Sequence, residues 1–142
     1  MTQEQTTPED RSEAQRYLDD MVARRGYVLD YHKVMAAQDY DVLVAANDLV
    51  RAAYLAPRRL PRTTKELIFI TSLTVMRSST EHIQSHIRVA LDLGLAAEEI
   101  LEAIEIALPE AGVVAFQHGL EAWCAVVAPE RLEPRNEGPT GG

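Results

Sequence analysis

"LPRTTKELIFITSLTVMRSSTEHIQSHIRVALDLG", residues 60–94, decides the fold of this chain. From Thr63 to Met76 it is apolar nearly all round a helical wheel, which marks a helix meant for the interior. The second half changes character. At about 100° per residue, Ile83, Ile87, Ala90 and Leu91 share one face, and Glu81, Gln84, Ser85, Arg88 and Asp92 share the other. Thr63-x-x-Glu66 and Ser78-x-x-Glu81 both fit the capping-box pattern that opens helices, and Gly94 closes the second helix.

Working outward, the same grammar holds. A helix is expected from Pro8 to Arg25, ended by Gly26. A short one follows from Asp30 ("DYHKVMAAQ"), with Asp30 as N-cap, and a third runs from Asp39 to Leu55, stopped by Pro57. Beyond Gly94, helices are expected from Ala96 to Leu108 and from Pro109 through "EAGVVAFQHGLEAWCAVV". No strand-like alternation of any length occurs, so the fold class is all-α. The expected organisation is a flexible N-terminus over 1–10, one domain over 11–128, and a disordered Pro- and Gly-rich tail over 129–142.

The chain has 142 residues, 46% of them apolar, enough for one domain with a real core. A net charge of −8 argues against nucleic acid or an anionic membrane as partner, because both attract concentrated Lys and Arg. The densest basic group is "RRLPR", Arg58 to Arg62. A lone Cys124 excludes an internal disulfide framework and a CxxC redox pair. With no signal-like h-region and no apolar run of bilayer length, the expectation is a soluble cytoplasmic protein.

His82 and His86 stand one turn apart on the amphipathic helix. His86 falls inside the apolar sector; His82 lies at its margin, in the first turn. Burial and the positive end of the helix dipole both favour a neutral imidazole, the form a general base or proton shuttle needs at neutral pH. A hydrogen-bonded core His fits the same pattern. The spacing also suits a metal pair, but no Cys and no Asp at a supporting spacing backs it within the helix, and the reading assigns no metal. No Gly-rich loop precedes a helix to cradle a phosphate.

The run "LPRTTKELIFITSLTV…EHIQSHIRVALDLGLAAEEILEAIEIALPEAGVVAFQHGLEAW" resembles the carboxymuconolactone decarboxylase family, which includes alkylhydroperoxidase D-like proteins. The resemblance rests on "KEL", the His of "HIRVAL", Gly94, "EEILEAI" and "GVVAFQHG" in that order, and it covers roughly Gly26 to Trp123. It implies a helical bundle of about six to seven helices, assembled as a trimer or hexamer. Peroxidase-type members carry C-x-x-C-x-x-x-H; counted back from His86, those cysteine positions fall on Ser79 and His82. A hydroxyl and an imidazole cannot cycle through thiolate, sulfenate and disulfide, which excludes that peroxidase chemistry. The Glu66-to-His86 spacing is one residue longer than the usual pattern, so the "MRSST" connection is expected to be rebuilt.

What remains is the non-thiol branch, and with it a cofactor-free lyase acting on a small carboxylated lactone. By its match, His86 is expected as the acid/base, and Glu66, matching the family's relay carboxylate, as the group that orients it or passes it a proton. Glu66 is equally explained by the capping box. His82 is expected as a second proton donor or a substrate ligand, beside Ser79. His118, Tyr31 and His32 are further candidates for substrate contact, against helix packing for His118 and an exposed loop position for the other two. The alternative is a non-catalytic helical oligomer or small-ligand binder on the same scaffold.

Overall fold

The computed structural model describes residues 8–131, with side chains from residue 13. The expected disordered tail beyond Arg131 and most of the expected flexible N-terminus lie outside the described residues. All regular structure within them is helical. The helices are α1 (Pro8–Arg25), α2 (Asp30–Gln38), α3 (Tyr40–Val50), α4 (Arg62–Val75), α5 (Thr80–Asp92), α6 (Ala97–Glu105), α7 (Ala107–Ala111) and α8 (Val113–Val127). The chain divides into two compact units, 1–65 and 66–142.

In the first unit α1 packs on α2 and α2 on α3. Ala14, Met21, Ala36 and Leu43 form the apolar centre, flanked by Tyr17 and Tyr40 in an edge-to-face pair 5.5 Å apart. A part-buried polar chain runs through the same unit. Arg25 donates to the Asn47 carboxamide oxygen, Asn47 Nδ2 donates to the Tyr17 hydroxyl at 2.7 Å, and Arg62 donates to the Arg25 carbonyl and the Tyr54 hydroxyl, each at 3.2 Å. Two expectations shift here. Leu29, not Asp30, is the N-cap of α2, and its N–H is taken up by His32 Nδ1 at 2.9 Å. The third helix ends as a π-turn over Arg51–Leu55, closed by Ala56 N–H to Arg51 carbonyl at 2.8 Å. Pro57 pushes Ala56 to extended backbone (ψ 135°), so the helix unwinds there.

In the second unit α5, α6 and α7 each pack against α8, around Ile70, Leu73, Ile83, Ile87, Ile100 and Ile104. Gly119 of α8 is what allows the close approach. A Cβ built there would sit 2.5 Å from Thr74 Oγ1 and 2.7 Å from Ile104 Cγ2, inside contact distance. The C-termini of α4 and α5 close by the same device. Leu95 N–H bonds the Ala90 carbonyl and Gly94 N–H that of Leu91; Ser78 N–H bonds Leu73 and Arg77 N–H bonds Thr74. That is the Schellman pattern, which requires a left-handed residue after the helix. Gly94 takes it at φ +96°, and Arg77, with a side chain, takes it at φ +57°.

The expected seventh helix is split. Gly112 at φ +89° ends α7 and starts α8 afresh, leaving Pro109 in the first turn of α7, where a missing N–H breaks no helical bond. The central helix is also less buried than its composition suggests. Ile70, Leu73 and Thr74 face the core, while Ile68 is 51% exposed.

Candidate active site

Two helices of the second unit build the site. On α4, Glu66, Phe69, Ile70 and Leu73 follow the spacing of one helical face, so whatever buries Ile70 buries Glu66 with it. On α5, His82 and His86 share a face with Ile83 and Ile87 one position on. Glu66 and His86 are both 0% exposed, and their side chains meet with 2.8 Å between Oε2 and His86 Nδ1. A carboxylate only accepts, so in this pair Nδ1 is the donor and the ring orientation is set. The Phe69 ring stacks on the imidazole at 4.6 Å and 9°, limiting ring rotation.

The capping-box reading of Glu66 fails. α4 begins at Arg62, which puts Thr63 inside the first turn, and the Glu66 carboxylate bonds His86 in the interior. The second capping box is displaced by one residue. Ser79 is the N-cap of α5, its Oγ accepting from His82 N–H at 3.3 Å. Ser78 Oγ instead lies 3.4 Å from His82 Nδ1. The "MRSST" connection owes this register to the left-handed turn at Arg77, which uses one residue before the cap can form.

His82 is the half-exposed member of the group, its ring 5.4 Å from that of His86. Burial, and secondarily the neighbouring His86, push the His82 pKa below the ordinary imidazole value, so its neutral form dominates at neutral pH. Glu66, His86, His82, Ser78 and Ser79 thus form one continuous polar group running from the core to the surface of this unit.

The remaining candidates are His118, Tyr31 and His32. His118 is half-buried on α8. Tyr31 and His32 belong to the first unit. Tyr31 is exposed; His32 is buried, its Nδ1 closing the start of α2 and its ring 4.0 Å from that of Tyr31. Cys124 is a free thiol on α8. Among the described residues no cluster of three or more His, Cys, Asp or Glu could hold a metal ion. Two residues were missed by sequence reasoning. Phe69 stands three after Glu66, a spacing that signals a shared face, and Ser78 was read as a cap.

Among the described residues, no helix is long and apolar enough to cross a membrane. No curated protein and no solved structure matches the chain. The sequence pattern of the carboxymuconolactone decarboxylase family matches residues 41–124, from α3 to Cys124 of α8, more than half of the chain and all of the polar group around His86. On that match the chain belongs to the carboxymuconolactone decarboxylase family.

Proposed function

We propose that this protein is a cofactor-free lyase that decarboxylates a small carboxylated lactone, or carries out closely related proton transfer on such a ring. The observation that carries the reading is the Glu66–His86 pair, fully buried and continued outward by a half-exposed His82. In the reaction the C–CO2 bond breaks, CO2 leaves, and its electron pair passes into the lactone carbonyl as a dienolate. A proton must then reach carbon. His86 is the acid/base whose ring Glu66 orients, and His82 is the member that substrate and solvent reach. His82 exchanges the proton with the ring carbon, and His86 and Glu66 hold or replace it. Ser79 lies at the same helix start, where it would meet a substrate polar group. The family match supports the reaction class.

The full burial of Glu66 and His86 favours a second reading, a ligand binder or oligomeric scaffold in which the pair is structural. Exposed Ile68, Met76, Ile106, Val113 and Val114 support self-association, read here as the trimer or hexamer of the family. Incubating the purified protein with carboxymuconolactone and following CO2 release separates the two. Catalytic CO2 release supports the lyase; saturable binding of the lactone with no CO2 release supports the binder.

A further inference from the structure

The segment between Asp48 and Glu66 is unlike the rest of this acidic chain. It holds Arg51, Arg58, Arg59, Arg62 and Lys65 and no acidic residue. Pro57 and Pro61 shape its central turn around two cavities that share Arg58, Leu60 and Lys65. One has a volume of about 230 Å³ and is lined also by Tyr54, Leu55 and Pro57. The other, about 490 Å³, opens between Ala53 and Arg59.

Backbone carbonyls and a phenol hold two of these cations. Lys65 Nζ donates to the carbonyls of Tyr54 and Ala56 at 3.2 and 3.3 Å, and Arg62 donates to the Tyr54 hydroxyl while lying over that ring at 4.8 Å. Among the described residues no carboxylate forms an ion pair with Arg58, Arg59 or Lys65. By contrast Arg24 and Arg51 are paired with Asp20 and Asp48. The lining combines apolar Leu55, Pro57 and Leu60 with cationic Arg58, Arg59 and Lys65, which suits a ligand with an apolar body and an anionic end. The size fits too. The smaller cavity is half-open to solvent, and its volume is enough for a ring with one carboxylate to seat against it.

We propose that this double cavity binds a small organic acid, an apolar ring or short chain ending in a carboxylate. Arg58 and Arg59 supply the forked donors for the carboxylate, and Lys65 supplies a fixed point charge. The proposal stands independently of the chemistry assigned to His82 and His86.

Titrating the full chain with benzoate at low salt, read by amide chemical shifts, tests it. Benzoate is expected to saturate, moving the signals of residues 53–65. Arg58→Ala/Arg59→Ala, both exposed and therefore safe for the fold, weakens binding about tenfold. Lys33→Ala/Arg88→Ala, which removes the same charge outside the cavity lining, changes it less than about twofold. Benzamide, the uncharged isostere, does not saturate. The proposal is overturned if benzoate fails to saturate, if benzamide or inorganic phosphate binds as tightly, or if the control pair weakens binding as much as the arginine pair.

Discussion

Replacing Glu66 and His86 by leucine, singly and together, tests whether the two form one energetic unit. Both are fully buried and their atoms meet at 2.8 Å. His86→Leu takes its imidazole partner from the buried Glu66 carboxylate, and breaking a buried pair in this way costs about 3–5 kcal/mol. Glu66→Leu takes the acceptor from Nδ1–H, for which the lost-partner penalty is about 1–3 kcal/mol. The double variant removes both ends of the pair together. With leucine close in volume to both side chains, it should cost far less than the sum, so the coupling energy is about 2 kcal/mol or more. The loss of the Phe69 stack occurs in both His86 backgrounds and cancels from the cycle. Urea unfolding at fixed protein concentration, followed by circular dichroism and by Trp123 fluorescence, gives the four stabilities. Strictly additive single effects, within about 0.5 kcal/mol, would refute the pairing.

Three further outcomes follow from the same structure. Gly119→Ala places a Cβ 2.5 Å from Thr74 Oγ1. It should lower stability by about 1–2 kcal/mol despite alanine's better helix propensity, with partial recovery in the Thr74→Ala background; an unchanged urea midpoint would contradict the close packing. Arg77→Gly relieves a left-handed backbone at φ +57° and should raise stability by about 0.5 kcal/mol, whereas a loss would mean that the arginine side chain stabilises the turn. The folded pKa of His82 is held below the unfolded 6.5. The unfolded chain therefore binds the proton more readily, and this contribution is complete above about pH 6.5 and lost as pH falls below it. Stability measured from pH 7 downward should fall less steeply in His82→Gln than in the unmodified protein, and identical slopes would remove His82 from the account.

How far the sequence carried this reading varies with the kind of signal. α1, from Pro8 to Arg25, was legible because Gly26 stops it, and the structure shows that glycine at φ +92°. Gly94 was legible for the same reason. Glu66 was not, because Thr63-x-x-Glu66 satisfies a local capping pattern equally well, and only the start of α4 at Arg62 rules the cap out. Ser78 and Ser79 were interchangeable as caps until Arg77 supplied the left-handed residue, a conformation that a sequence signals clearly only with glycine or asparagine. Gly112 was read inside the last helix, whereas its φ of +89° places it in the turn between α7 and α8. Arg25 and Tyr17 stand on α1 and Asn47 on α3, so no single helix's periodicity brings the three together. The helical face of His86 was readable at once; its partner was suggested only by resemblance, and Phe69 was overlooked though it sits on Glu66's own face.

The most direct test of the central claim is the turnover of carboxymuconolactone by His82→Gln and His86→Asn beside the unmodified protein, with unfolding midpoints measured on the same samples. The account predicts that each substitution lowers kcat about a hundredfold or more in protein that remains folded, in line with the usual contribution of a positioned acid/base group. Unchanged turnover in folded His82→Gln and His86→Asn would contradict it.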